Sequence, residues 1–266
     1  MILFPFYVLL GGLAGLLAGL FGLGGGIILV PALLLFFSWQ AFPADLIPIM
    51  AVATSLATII PTAISSVQAH HRLGSLDWEA VKGLVPAIVM GAILGAWLAD
   101  KMPGNWLKII FAGYLILVSM QMGWRWRPNP GVKRPNLPVL FGSGGVIGTL
   151  AAMLGIGGGT LTVPLLVKFS YPMRTAVAVS SACGLPIALA GTAGYGWLGS
   201  DQSGLPPGSM GYVYLPAFFG IILASIMTAP LGAKLSHQLP ADTLKRAFSV
   251  LLLLIGLKIL YGSLAN

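Results

Sequence analysis

The chain has 266 residues, of which 57% are hydrophobic and only 8% are charged. Long apolar runs recur from one end to the other, which excludes a soluble globular domain and favours a polytopic membrane protein. The spans are expected to be helical, because the runs reach about 20 residues. The net charge of +8 does not indicate nucleic acid binding, because the basic residues lie between the apolar runs, where they orient membrane segments.

Ten apolar segments follow one another, five on each side of a basic, Pro-rich linker. They lie near 3–21, 26–37, 46–67, 83–99, 105–123, 138–156, 159–169, 175–195, 212–231 and 243–262. The second and seventh segments are roughly 18 Å long, too short for a 30 Å bilayer core. We therefore expect two half-length helices. The predicted units are a first membrane repeat at 1–123, a cytoplasmic linker at 124–138 and a second membrane repeat at 139–266.

A glycine-rich motif, Gly-x-Gly-Gly-Gly-x4-Pro, occurs at 22–31 and again at 155–164. Over 11–36 aligned with 144–169, 13 of the 26 residues are identical, which identifies an internal repeat. Consecutive glycines are poor helix formers, so each motif interrupts an apolar segment. In lipid, such a break is tolerated only where it is buried in protein or lines a cavity.

The odd number of segments in each half predicts the orientation of the halves. If the first two segments of each half form a re-entrant pair, the two halves have opposite orientations, as in an inverted repeat. With the linker in the cytoplasm, 11 of the 14 basic residues fall on that side. Both termini then lie on the non-cytoplasmic side. The predicted fold is an all-α polytopic membrane protein with two five-segment halves as an inverted repeat, each with a Gly-broken re-entrant helix pair.

The two breaks are expected to meet near the bilayer midplane, where the half-helices present free N–H groups that favour anions. All six acidic residues lie in predicted loops or at segment ends, so no carboxylate is placed mid-membrane to hold a cation. The candidate substrate-binding residues are Gly24, Gly25, Gly26, Thr54, Ser55, Thr58, Gly157, Gly158, Gly159, Thr160, Ser180 and Ser181. Gln68 and His71 are candidate gate residues, with a polar position at the membrane edge as the alternative. No metal site or cofactor is expected.

Structural alternatives apply to several of these features. Glycines spaced by four, such as Gly11 and Gly15 or Gly91 and Gly95, usually mark close helix packing. Serine and threonine in membrane helices mostly bond to their own helix backbone. An enzyme would need an activated nucleophile or an acid–base pair inside the apolar core. We expect no enzyme, because Cys183 has no His or acidic residue near it in the sequence.

The glycine motif, the Ala-Thr-Ser run at 53–55, the His-Arg-Leu-Gly run at 71–74 and the Ser-Ser-Ala-Cys-Gly-Leu-Pro run at 180–186 resemble the TauE/SafE sulfite-exporter family. The resemblance covers nearly the whole chain. It implies a permease of the bacterial inner membrane that exports sulfite, sulfoacetate or other organosulfonates. An anion channel and an uptake permease for a related small anion are the alternatives. The expected partners are a small anion and the lipid membrane; the oligomeric state stays open, a homodimer included.

Overall fold

The computed structural model describes residues 4–21, 26–123, 136–236 and 241–264. These residues form ten helices and one two-stranded antiparallel ribbon. The helices are α1 (Phe4–Phe21), α2 (Gly26–Trp39), α3 (Ile47–Arg72), α4 (Trp78–Lys101), α5 (Gly104–Gly123), α6 (Leu137–Leu154), α7 (Gly159–Lys168), α8 (Met173–Leu198), α9 (Leu215–Ser236) and α10 (Ala241–Leu264). The strands are β1 (Ser209–Met210) and β2 (Val213–Tyr214). Within the described ranges, α3, α4, α5, α6 and α8 are long and apolar enough to cross a membrane.

The ten helices confirm the predicted helical architecture of a polytopic membrane protein. The two predicted half-length segments appear as α2, with 14 residues, and α7, with 10 residues. The β1–β2 ribbon is an addition to the predicted fold, because the ninth segment was expected to begin at 212 and α9 begins at Leu215. Gly208 and Gly211 have positive φ values of 86° and 54°, which favour turns at this position over a helix.

Local sequence explains where several helices begin and end. The carboxylate of Asp77 accepts hydrogen bonds from the N–H groups of Glu79 and Ala80, both at 3.1 Å, and so begins α4. Gly155 ends α6 in the left-handed conformation, with φ of 69°. Gly158, with φ of 73°, begins α7. The chain between Gly155 and Gly158 therefore breaks the helical path, as the glycine motif predicts.

The long helices give the bundle two distinguishable ends. At the first, which we call the ribbon end, the Tyr212 hydroxyl donates to the Asp100 carboxylate at 2.7 Å. The side-chain amide of Asn105 also donates to the Ser263 carbonyl at this end, at 2.8 Å. The opposite end carries exposed basic residues at or near the ends of α3, α4, α7 and α8, and we call it the basic end. These residues are Arg72, Lys82, Lys168 and Arg174.

The two halves pack on one another reciprocally. The first helix of each half contacts the fourth helix of the other, so α1 packs on α9 and α6 packs on α4. Glycines allow the close approach: a Cβ added at Gly15 would lie 2.6 Å from the Cα of Ser225, and one added at Gly148 would lie 2.9 Å from the Cα of Ile88. Gly15 and Gly148 are equivalent positions of the sequence repeat. The packing interpretation of the spaced glycines is therefore confirmed at both sites.

The outward surface of α4 is apolar in the middle and second half of the helix. Met90, Ile93 and Trp97 are exposed in the middle and second half of this helix. A soluble protein rarely exposes contiguous large apolar side chains, whereas a lipid-facing helix requires them. This surface is that of a membrane-spanning helix.

Substituting Gly91 by alanine tests the packing of α4 on α6. A Cβ at Gly91 would collide with the Gly145 carbonyl and would lie 3.0 Å from the Thr149 nitrogen. We expect Gly91→Ala to lower the free energy of unfolding by about 1–3 kcal/mol. Gly113→Ala is the matched control, because a Cβ at Gly113 meets nothing within 4 Å. Thermal unfolding of the purified proteins measures both, and equal melting temperatures for Gly91→Ala and the unmodified protein would contradict the close packing.

Candidate functional site

The two glycine breaks meet inside the bundle. Gly26 begins α2, and a Cβ added to it would lie 2.5 Å from the Gly155 carbonyl oxygen and 3.0 Å from the Cα of Ile156. A Cβ at Gly155 would lie 2.7 Å from the Cγ2 of Val30 on α2 and 3.0 Å from the Cα of Val52 on α3. Glycine is required because backbone lies against backbone on both sides. Two other candidates of the first break, at positions 24 and 25, lie outside the described residues.

The amino end of α7 points free N–H groups toward this region. The first N–H groups bonded within the helix are those of Leu161 and Thr162, which donate to the Gly158 carbonyl at 3.0 and 2.8 Å. The N–H groups of Gly159 and Thr160 precede these bonds and have no acceptor within the helix. The aligned peptide dipoles give this end a partial positive charge. An anion can therefore be bound here without a cationic side chain.

The second break is held between α3 and α8. A Cβ at Gly157 would lie 3.4 Å from the Cγ2 of Ile59 on α3. The carbonyl oxygen of Gly157 would lie 2.9 Å from a Cβ at Gly184 on α8. Gly184, which belongs to the Ser-Ser-Ala-Cys-Gly-Leu-Pro run at 180–186, therefore leaves space on α8 for the backbone of the second break. The candidate glycines 26, 157, 158 and 159 thus lie together.

The three candidate hydroxyls of α3 each have a protein partner. Thr54 accepts a hydrogen bond from the Tyr214 N–H at 3.0 Å, and Ser55 donates to the Gly155 carbonyl at 2.8 Å. Thr58 donates to the Ser55 carbonyl of its own helix at 2.6 Å. These hydroxyls hold the ribbon, the second break and the helix itself. Only Thr58 follows the structural alternative of bonding to its own helix, whereas Thr54 and Ser55 bond to segments outside α3.

The hydroxyls of the second half differ from those of α3. The Thr160 hydroxyl shares a hydrogen bond with the Tyr114 hydroxyl of α5. Ser180 is buried, with 2% of its surface exposed, and its Oγ has no hydrogen-bond partner among the described residues. Thr162 is 0% exposed, and its Oγ1 also has no hydrogen-bond partner among the described residues. Ser181 is half-buried. Two buried hydroxyls, those of Thr162 and Ser180, therefore have no hydrogen-bond partner within the described ranges.

The segments around both breaks contain no charged side chain. The sequence has no Asp, Glu, Lys, Arg or His in 1–44, 46–69, 135–167 or 175–200. Among the residues that the structure describes, no three His, Cys, Asp or Glu side chains are grouped to hold a metal ion. The electrostatic field in this region therefore arises from helix ends, peptide groups and hydroxyls.

An aromatic cluster closes the bundle at the ribbon end. The ring of Tyr214 lies 6.1 Å from that of Tyr7, 5.7 Å from that of Phe37 and 5.1 Å from that of Phe42, with edge-to-face geometry. Burial, together with the hydrogen bond to Asp100, raises the pKa of Tyr212, so its hydroxyl stays a proton donor. Sequence reasoning missed this closure. The cluster of Gly and Pro at 204–211 is the turn signal that could have indicated it.

A cleft of about 390 Å³ opens at the basic end. The loop between α3 and α4 and the turn between α7 and α8 line it, through Gly74, Ser75, Leu76, Asp77, Trp78, Tyr171, Pro172 and Thr175. The candidate gate residue His71 is exposed, with its ring 5.7 Å from that of Trp78. Gln68 is also exposed. Of the two candidates, His71 contacts the lining of the cleft. Sequence reasoning missed the contribution of Tyr171 and Thr175.

The family of the chain is decided by comparison with known proteins. The model of the family described as "Sulfite exporter TauE/SafE" matches residues 7–259. The chain belongs to this family.

The relatives of this chain carry transporter names. This chain is 34% identical to a probable membrane transporter protein of Haemophilus influenzae, over 94% of this chain and 95% of the relative. It is 27% identical to the probable membrane transporter protein YunE of Bacillus subtilis, over 97% of each chain. The probable inner membrane transporter protein TsaS of Comamonas testosteroni is 26% identical, over 68% of this chain and 72% of the relative. No solved structure gives a significant match.

The TauE/SafE protein is a multi-pass membrane transporter and not an enzyme. The prediction of the family from the glycine motifs is confirmed.

Replacing Ser55 by alanine tests how α3 holds the second break. The substitution leaves the buried Gly155 carbonyl without its side-chain donor, which costs about 1–3 kcal/mol. We expect a lower melting temperature for the purified Ser55→Ala protein. Thr62→Val is the control, because the Thr62 hydroxyl donates only to Ile59 of its own helix, at 2.8 Å. Equal losses of stability in the two variants would contradict a special role for the Ser55 bond.

Proposed function

We propose that this TauE/SafE protein exports a small sulfur-containing anion, such as sulfite, sulfoacetate or another organosulfonate, through a site at the two glycine breaks. The observation that carries the proposal is the amino end of α7, which follows the Gly155–Ile156 backbone that Gly26 contacts, in segments without any charged side chain. Free N–H groups and hydroxyls bind an anion without the strong attraction of a fixed cation, which suits a ligand that must leave again. The description of the family as sulfite exporters supports the substrate class and the direction.

The proposed roles follow from the contacts of the candidate residues. In this proposal, the glycines at 24–26 and 157–159 bring backbone N–H groups to the ligand, and Thr160, Ser180 and Ser181 add hydroxyls. Thr54, Ser55 and Thr58 act as positioning residues because their hydroxyls are bonded within the protein. Gln68 and His71 act at the basic end, where His71 contacts the lining of the cleft.

We further propose that α1–α2 and α6–α7 are re-entrant pairs of opposite orientation. The Tyr7 ring near the start of α1 lies 6.1 Å from the Phe36 ring near the end of α2, so this pair begins and ends toward the ribbon. A Cδ1 atom of Leu137, at the start of α6, lies 3.4 Å from a Cβ added at Gly83 near the start of α4. Lys168 ends α7 toward the same basic end. These contacts support an inverted repeat, and the reciprocal packing of α1 on α9 and α6 on α4 agrees with it.

In this proposal the basic end faces the cytoplasm of a bacterial inner membrane. Cytoplasmic loops are enriched in Lys and Arg, and TsaS of Comamonas testosteroni is named as a probable inner membrane transporter. In the same proposal, the aromatic cluster closes the ribbon end and the anion enters from the basic end, where the surface cleft lies. Such a transporter would load an exported anion from inside the cell.

A valine at Gly158 tests the site. Gly158 has φ of 73°, and its Cβ would lie 3.4 Å from the Thr162 hydroxyl oxygen, so valine strains the break and fills the space at the amino end of α7. We expect Gly158→Val to reduce the flux of radiolabelled sulfite in reconstituted vesicles more than about 10-fold, and Gly25→Val to act similarly. Gly142→Val is the control, because a Cβ at Gly142 on α6 meets nothing within 4 Å.

Gel filtration verifies folding of each variant before the flux is measured. Normal flux through a folded Gly158→Val protein would mean that the second break has only a structural role.

Saturable flux with counter-transport favours a carrier, whereas conductance that does not saturate favours a channel. Flux of a cation or a sugar, with none of sulfite or a sulfonate, would overturn the anion proposal.

Cysteine labelling in intact cells tests the orientation. The native Cys183 is buried and is replaced by alanine to give a background without reactive thiols. Single cysteines are then introduced at Leu264, which is 72% exposed at the end of α10, and at Lys133 in the linker. We expect an impermeant maleimide to label Leu264→Cys from outside and Lys133→Cys only after permeabilisation. Labelling of both from the same side would contradict the inverted repeat.

A further inference from the structure

We propose that Thr162 and Ser180 are ligand-binding residues and that they hold a singly charged oxyanion head group at the amino end of α7. The inference rests on the proposed function, because it assigns the ligand of that same site. It goes further by adding Thr162 to Ser180 as a donor and by choosing between charge states of the ligand.

Thr162 lies in the first turn of α7 with its hydroxyl beside the break. The side chain is 0% exposed, and its Oγ1 has no hydrogen-bond partner among the described residues. A Cβ added at Gly158 would lie 3.4 Å from that Oγ1, so the hydroxyl faces the start of the helix. A buried hydroxyl without a partner costs free energy. A ligand at the helix end that accepts its proton would remove this cost.

Ser180 lies at the same level on the neighbouring helix. Thr162 is six residues before the end of α7 and Ser180 is seven residues after the start of α8, which puts them about 9 and 10 Å from the connecting turn. The two helices are in contact. Gly184, one turn further along α8, touches the Gly157 carbonyl, so Ser180 shares the face of α8 that meets the second break. Its Oγ is also buried and unpaired within the described part of the chain.

The chemistry of these groups favours an oxyanion over a cation. Each hydroxyl offers one proton, and the N–H groups of Gly159 and Thr160 offer two more. A cation would have to lie against the positive end of the α7 dipole. A sulfonate or bisulfite head group instead presents several acceptor oxygens to these donors.

The absence of charged side chains in 135–167 and 175–200 selects the charge of the head group. The cost of burying an ion rises with the square of its charge, whereas its attraction to a fixed set of dipoles rises only in proportion to the charge. Doubling the negative charge of the head group therefore multiplies the cost of burial about fourfold but only about doubles the attraction to these donors, which favours a singly charged head group. Sulfoacetate meets this condition at its sulfonate, since its second charge is on a separate carboxylate.

Thr192 provides a matched control. Its hydroxyl is also buried and unpaired among the described residues, but it lies on α8 twelve residues beyond Ser180. Valine at either threonine keeps the side-chain shape and removes an unpaired hydroxyl. Both variants should therefore fold and be at least as stable as the unmodified protein. Only the variant at Thr162 should lose binding.

The experiment measures binding of ethanesulfonate and of sulfate to the purified full-length protein by isothermal titration calorimetry. We expect the unmodified protein to bind ethanesulfonate more tightly than sulfate. Thr162→Val and Ser180→Ala should each weaken binding of ethanesulfonate about 10- to 100-fold, the loss of one hydrogen bond to a charged group. Thr192→Val should bind as the unmodified protein does.

The outcomes separate this inference from the proposed function. Unchanged ethanesulfonate binding by a folded Thr162→Val protein would overturn the assignment of the hydroxyls, which would then bind only water. The proposed function as an anion transporter would not be affected by that result. Sulfate bound as tightly as ethanesulfonate would overturn the selection of a single charge. If the unmodified protein neither binds nor transports any sulfur anion, the proposed function fails, and this inference fails with it.

Discussion

The centre of this protein depends on how a broken helix satisfies its backbone polar groups without water. Lipid offers no hydrogen-bond partners, so a turn in the membrane interior must find them within the protein. Ser55 donates to the Gly155 carbonyl at 2.8 Å, and Gly26 brings the first break against the same carbonyl. The Gly155 carbonyl of the second break is thus covered by Ser55 of α3 and by Gly26. Within the described part of the chain, the N–H groups of Gly159 and Thr160 at the start of α7 have no acceptor in their own helix, and this asymmetry makes the region a candidate anion site.

Two adjacent residues of α3 connect this centre to the closed end of the bundle. Ser55 binds the second break, and Thr54, the residue before it, accepts the Tyr214 N–H of the ribbon. The aromatic cluster around Tyr214 is therefore attached to the helix that holds the break. A transporter must change the access to its site from one side of the membrane to the other. In the proposed mechanism, α3 is the element through which a ligand at the break would affect the ribbon.

Reciprocal packing keeps the two breaks together. The first helix of each half lies on the fourth helix of the other, and glycines such as Gly15 and Gly148 bring the backbones close. Neither α1 nor α6 therefore packs only within its own half. In the proposed mechanism, displacing either helix would disturb the other half and so couple the two breaks. In the proposed mechanism, weak binding by dipoles and hydroxyls, in place of charged side chains, allows the anion to leave the site.

The sequence by itself determined the ten segments, the two short helices, the glycine breaks and the family. These features are local: hydrophobic length sets a span, consecutive glycines end a helix, and a repeated motif reveals the duplication. The partners of the hydroxyls were decided only by the tertiary structure. Thr54, Ser55, Thr162 and Ser180 look alike in the sequence, yet the first two are bonded and the last two are unpaired within the described residues. Hydrogen bonding between distant segments depends on helix packing, which no local pattern contains.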